Sequence, residues 1–230
     1  MKKIGSMLQR SMVISFFLLL CAAVPASASI INWVNWTSAT AGDAGNASGT
    51  MTYNGAPVGV TYTGEIVFAQ TSGGTNWWTE GTPAPYTGNS VVGNAPPPSD
   101  IIALDTGFIN NAITFGTPVL DPVMAFVSIG RNGGGVNYNF DAPFTLLSEG
   151  AGWWGNGTWF QSGNTLTGFE AHGVIQFNGS VSSISWTNNP SEYWHGFTIG
   201  TAVVPEPSTL LLLGTGLLGL VGYGRRRLKK

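Results

Sequence analysis

The 230-residue sequence predicts an all-β fold, an antiparallel, jelly-roll-like β-sandwich, with a single transmembrane helix at its C-terminus. Three features of residues 29–204 predict the sandwich. Apolar residues alternate with small or polar ones, as half-buried strands require, and no stretch shows a convincing 3.6-residue apolar period. Turn clusters recur at short intervals: Thr71-Ser72-Gly73-Gly74, Asn132-Gly133-Gly134-Gly135, Asn178-Gly179-Ser180 and Asn188-Asn189-Pro190. Aromatic and β-branched residues are plentiful, which argues against disorder. Short strands between turn signals point to a sandwich or jelly roll.

The elements follow in chain order. Lys2, Lys3 and Arg10 form a basic start, Met12 to Val24 an apolar run, and Ala26-Ser27-Ala28 an A-x-A cleavage site. Residues 1–28 therefore read as a secretory signal peptide, with the mature chain beginning at Ser29. The only cysteine, Cys21, follows Leu20 rather than a small residue and is removed with that segment, so the body has no thiol chemistry. The body, 29–204, is long enough to hold one core without disulfides.

Within it, Val58, Val60, Tyr62, Gly64, Ile66 and Phe68 share one strand face, and Val136-Asn137-Tyr138-Asn139-Phe140 alternates strictly. Val123 to Ile129 and Val174 to Phe177 are apolar runs of strand length. Asn178-Gly179, between Val174–Phe177 and Val181–Trp186, predicts a β-hairpin. Tyr193, His195, Phe197 and Ile199 predict one face of the last strand. Thr71 to Asp100 breaks the pattern with five prolines and Trp77-Trp78, and reads as a long surface excursion.

The tail, 205–230, has three parts. Pro205-Glu206-Pro207 precedes the uncharged run Ser208 to Gly224, which ends in Arg225-Arg226-Arg227-Leu228-Lys229-Lys230. As a helix the run would rise about 26 Å, at roughly 1.5 Å per residue. That is slightly short of a hydrocarbon core of about 30 Å, a gap that snorkelling basic side chains close. The basic end stays cytoplasmic by the positive-inside bias, which puts the body on the other side of the membrane. Gly214-Thr215-Gly216-Leu217-Leu218-Gly219 spells G-x-G-x-x-G, but no strand precedes it and no acid follows. Small residues allowing close helix approach explain it better than dinucleotide binding.

Val204-Pro205-Glu206-Pro207-Ser208-Thr209, the Gly-interrupted leucine run and the Arg-rich end together resemble the PEP-CTERM sorting signal. The resemblance implies recognition by exosortase, a membrane-embedded enzyme with a cysteine nucleophile. It also implies a Gram-negative-type envelope and a link to exopolysaccharide or biofilm matrix. It implies an inner-membrane-anchored precursor, processed near Val204, Pro205, Glu206 and Pro207, whose body ends at the cell surface or in the matrix. The signal occurs on many unrelated bodies, so it implies nothing about the chemistry of 29–204.

Composition narrows that chemistry. Between 29 and 204 the one cation, Arg131, faces ten acids, a net charge of −9. Nucleic-acid binding is excluded for want of a basic surface. Strongly anionic polymers are repelled, while neutral glycans remain open. Phosphoryl transfer lacks its usual cationic clamps. No G-x-S-x-G, H-E-x-x-H or D-x-D-x-D-G pattern occurs.

Two constellations remain. Trp77-Trp78 and Trp153-Trp154 with Trp159 offer flat faces for sugar rings, against the alternative that they fill the core. Trp153 and Trp154, if in a strand, point to opposite faces, one inward and one outward. Glu170 and His172 sit at i, i+2 on one strand face and would reach His195 if their strands pair, giving a candidate metal site that still needs converging ligands. The H-x-H-plus-Glu pattern of cupin metal sites is absent. The expectation is an exported, non-enzymatic structural or adhesive module, glycan-binding through tryptophan faces and needing no cofactor. A secreted carbohydrate-active enzyme using two body carboxylates and a metal-binding module stay open as alternatives.

Overall fold

The computed structural model describes residues 28–203 and 214–219. The chain begins with β1 (Ile31–Trp33), β2 (Asn35–Thr40), β3 (Gly42–Tyr53), β4 (Ala56–Ile66) and β5 (Phe68–Gln70). It continues through β6 (Ile101–Leu104), β7 (Asn111–Leu120), β8 (Val123–Ile129), β9 (Val136–Phe140) and β10 (Phe144–Glu149). It ends with β11 (Thr158–Ser162), β12 (Thr165–Phe169), β13 (Ala171–Phe177), β14 (Ser180–Asn189) and β15 (His195–Ala202). These form two antiparallel sheets. One runs β10-β13-β8-β15-β6-β5 with β1 also on β15, and the other runs β11-β12-β9-β14-β7-β4-β3-β2.

From β6 onward the chain steps back and forth between the sheets. The order β6-β15-β8-β13 opposite β7-β14-β9-β12 is the double-Greek-key path of a jelly roll. The expected sandwich is thus present, widened by hairpins at its edges.

Alternation sets which residues meet between the sheets. In β4, Val58, Val60 and Tyr62 point inward and their neighbours face water, and β9 alternates strictly. Their partners across the gap include Phe126, Ile175, Phe177 and Phe197. Tyr62, Trp186, Phe197 and Phe140 interlock there with ring centroids 5.1 to 6.0 Å apart. On its outside the eight-stranded sheet is hydroxyl-rich: exposed Ser48, Thr61, Thr114 and Ser183 form one cross-strand row.

The seven-stranded sheet is covered on both faces, which is why Val123–Ile129 reads as a continuous apolar run. Its outer face is covered by the 71–100 excursion, more than a surface loop. Trp78, Tyr86 and Val92 pack with Ile101, Val123, Ala125, Val127 and Val174 in a second apolar cluster. Among the described residues, both sheets and both clusters lie within 29–203, so this segment carries its own core.

The Asn178-Gly179 hairpin is corrected. β13 and β14 belong to different sheets, and the turn between them is a corner. Asp121 holds it, accepting the Gly179 N–H at 2.6 Å on its carboxylate while donating its own N–H to Gly179 O at 2.9 Å. The Asn-Gly pair that does close a hairpin is Asn54-Gly55, between β3 and β4, with φ of 50° and 75°. A type I′ turn needs both central residues at positive φ. At the corner only Gly179 is positive, at 87°.

Tyr193 is also corrected: it precedes β15 and is 84 % exposed, while His195, Phe197 and Ile199 do point inward. Phe68 lies past a switch of sheets between β4 and β5 rather than on β4's inner face. The expected signal peptide lies outside the described residues except for Ala28, as do Val204, Pro205, Glu206 and Pro207. Residues 214–219 are helical, and among the described residues no helix is long and apolar enough to cross a membrane.

Candidate functional site

Four segments distant in sequence bring their aromatic rings to one place on the surface. Trp77 from the excursion stacks on Trp154 with centroids 5.3 Å apart and planes 17° apart. Trp153 meets Trp77 edge-on at 5.0 Å. Trp194, from the loop before β15, lies 4.6 Å from Trp154 and 5.2 Å from Trp77, and Phe68 stacks under Trp194 at 6.0 Å. Trp153 and Trp154 remain 43 % and 47 % exposed.

The shelf is held by side-chain and backbone hydrogen bonds. Gln70 accepts the Trp77 indole N–H at 3.0 Å and donates to Pro98 O at 2.6 Å, tying both ends of the excursion together. Gly81 N–H donates to Ala151 O at 2.7 Å and Ala151 N–H to Pro83 O at 2.9 Å, which locks the excursion to the next loop. That loop folds as a tight turn, with Gly152 N–H to Gly155 O at 2.7 Å and Gly155 at φ 119°. Trp153 and Trp154 are the turn's central pair. The strand rule of one ring inward and one outward is therefore corrected: both face out because this segment is not strand.

Trp194 joins the shelf to an open pocket of about 490 Å³, lined by Gly130, Arg131, Asn132, Glu170, Glu192 and Tyr193 among others. The β8–β9 turn forms one wall, with mutual backbone bonds between Arg131 and Gly134 at 3.2 Å. Glu170, at φ 54°, braces that wall by accepting from Ser128 Oγ at 2.7 Å and from Asn132 N–H at 3.2 Å. Glu192 is buried beneath it and accepts from the Tyr138 hydroxyl. Burial pushes the Glu192 carboxyl well above the usual range, against the lowering pull of the Gly130 N–H and the Arg131 charge.

His195 lies between the sheets, edge-on to Tyr138. Its Nδ1 is 3.2 Å from Glu192 Oε2, close but not aligned as a hydrogen bond. Burial holds it near a pKa of about 3, hence neutral. His172 sits on the opposite face of its sheet under Gly152, where an added Cβ would fall 2.5 Å from the imidazole. Its Nδ1 accepts the Ser128 N–H at 3.2 Å, and burial lowers its pKa to about 4.

The expected meeting of the histidines is corrected. β8 separates β13 from β15, and the two rings face opposite sides of the sheet. Glu170 and His172 share Ser128 as a neighbour, but among the described residues no three His, Cys, Asp or Glu side chains gather where they could hold a metal.

Of the expected ligand-facing tryptophans, the fold brings together Trp77, Trp153 and Trp154. Trp78 and Trp159 are corrected to core. Trp78, 2 % exposed, packs on Tyr86 at 5.3 Å. Trp159, 7 % exposed, meets Phe126 edge-on and fills the space beside Gly173, where a Cβ would come within 2.5 Å of its ring. Sequence reasoning missed Trp194, Tyr193 and Arg131 as site residues. The signals were present: an aromatic pair just after Asn188-Asn189-Pro190, and a body with a single cation.

No curated protein and no solved structure matches the chain. Its tail does match: residues 203–227 fit the family model of the PEP-CTERM protein-sorting motif. That motif belongs to exported proteins handled by exosortase, so the chain carries an exosortase-type sorting tail on a β-sandwich body.

Proposed function

We propose that the exported body is a non-enzymatic glycan-binding module, delivered through exosortase-type processing to the cell surface or an exopolysaccharide matrix. The observation that carries this reading is a surface shelf of exposed Trp153 and Trp154 on half-buried Trp77 and Trp194, running into a polar pocket. An apolar cluster kept at the surface by a framework of hydrogen bonds marks a docking site. Flat rings beside polar groups suit sugar C–H faces and hydroxyls. The −9 charge of 29–204 turns the module toward largely uncharged polymers.

Titration calorimetry of residues 29–203 with a panel of oligosaccharides tests it. Binding to at least one member is expected, weakened about tenfold or more in Trp154→Ala with an unchanged melting temperature. Absence of binding across the panel overturns the reading.

The enzyme alternative rests on Glu170 and Glu192 lining one pocket. Against it, both Glu170 oxygens are engaged by Ser128 and Asn132, and Glu192 is buried beneath the wall with one oxygen on Tyr138. Hydrolysis of a panel member by the wild type, lost in Glu170→Gln and Glu192→Gln, would revive it.

A further inference from the structure

The pocket differs from the shelf in its chemistry. Both oxygens of Glu170 and Oε2 of Glu192 already have hydrogen-bond donors, with Glu192 Oε1 buried and unpartnered, whereas the side chain of Arg131 makes no hydrogen bond or ion pair at all among the described residues. The guanidinium folds back over Gly134, with Nη2 3.8 Å from where a Cβ would stand. It thus lines the pocket as the one cation of the body. Its Nη donors are not shut off from solvent and have no acceptor among the described residues, so a ligand can supply one. A guanidinium fork matches a carboxylate in two parallel hydrogen bonds.

Resting on the glycan-binding reading, we infer that this pocket is the subsite for an acidic sugar, a uronic acid at the end of an otherwise neutral oligosaccharide, whose carboxylate pairs with Arg131 while the neutral units behind it lie on Trp194 and Trp154. The overall charge sets the limit on acid content. A polymer acidic at every unit is repelled by the nine excess negative charges, while a single acid meets Arg131 beside Glu170 and a Glu192 whose neutral form burial favours. Trp194 makes the geometry continuous, because it lines the pocket and stacks within the shelf.

The test uses residues 29–203 and a set of uronate-terminated oligosaccharides, each paired with its carboxyl-reduced neutral counterpart, cellobiouronic acid with cellobiose among them. For pairs that bind, the acid is expected to bind about tenfold more tightly than its reduced partner, roughly the worth of one charge-assisted pair. Arg131→Gln should erase that preference, bringing the acid down to the affinity of its neutral partner, while Trp154→Ala weakens both. Equal binding of acid and reduced forms by the wild type, with Trp154 dependence intact, overturns the acidic-sugar subsite and leaves the shelf reading standing. Binding of no member overturns both. Because the comparison of paired ligands needs only the wild type, it decides the matter even if Arg131→Gln fails to fold.

Discussion

Tryptophans that look alike in the sequence have opposite fates in the fold, and single-residue energetics should separate them. Trp78 is enclosed by Tyr86 and the outer face of the seven-stranded sheet, whereas Trp153 caps an exposed turn. Trp78→Ala leaves a cavity and is expected to cost about 3–5 kcal/mol. Trp153→Ala should cost under about 1 kcal/mol. Urea unfolding of the two variants checks this, and similar losses would show that the shelf is part of the core. His172 carries a second prediction. Its folded pKa of about 4 lies below the ordinary 6.5, so between those values the unfolded chain binds a proton that the fold refuses. Stability is therefore complete above about pH 6.5 and falls as pH drops toward 4, by up to about 1.4 kcal/mol per unit. His195 has the same sign, but Glu192 beside it has the opposite one, since burial raises that carboxyl and the fold keeps its proton. Over the same window the two contributions oppose each other. His172→Gln should accordingly flatten the slope of unfolding free energy between pH 4.5 and 6.5 relative to the wild type, and an unchanged slope would remove His172 as its source. None of these burial differences could be read from the sequence, where Trp77-Trp78 and Trp153-Trp154 look alike. Which ring is covered depends on what the excursion packs against, and that partner lies 20 to 100 residues away.

At the scale of elements, the two Asn-Gly pairs show what local chemistry can and cannot specify. At Asn54-Gly55 both residues are at positive φ and the chain returns beside itself as a hairpin. At Asn178-Gly179 it leaves one sheet for the other, braced by the Asp121 corner opposite. Asp121→Ala removes the acceptor of the Gly179 N–H and is expected to cost about 1–2 kcal/mol, measured by urea unfolding. The equivalent change at Asn178, whose side chain bonds only Thr145 at 3.3 Å, should cost less. If the two were equal, the corner would not depend on Asp121. The strands themselves were legible: Val123–Ile129 and Val136–Phe140 occupy the ranges their patterns mark, because alternation and apolar runs are properties of consecutive residues. Their pairing was not, since β15 finds β8, β6 and β1 at long range and no turn signal encodes such a partner. The excursion was legible as a break in strand pattern but not as a cover, because its contribution comes from isolated rings, Trp78 and Tyr86, with no period between them. The pocket was the least legible part, as it forms where the β8–β9 turn and the segment before β15 converge.

For the whole molecule, the decisive quantity is how unevenly charge is shared. Eight of the nine cations lie in the two end segments, so the chain's formal charge of −2 conceals a body at −9. Within the body, the only ion-pair contact among the described residues joins His195 to Glu192, and that histidine is held neutral by burial. Its carboxylates therefore repel one another with little local compensation. The acids sit mainly at corners and loops, such as Asp105, Asp121 and Asp141, while the outer face of the eight-stranded sheet is solvated by serine and threonine hydroxyls. Self-repulsion of this kind opposes the compact state and is weakened by salt. Raising sodium chloride from about 10 mM to about 150 mM shortens the screening length from roughly 30 Å to roughly 8 Å, below the size of the body. The melting temperature of residues 29–203 should then rise by a few degrees, the reverse of what a fold held by exposed salt bridges would do. A flat or falling melting temperature over that range would mean that the ten acids have found compensation elsewhere. In that case charge would no longer be a reason to expect a preference for sparsely charged glycans.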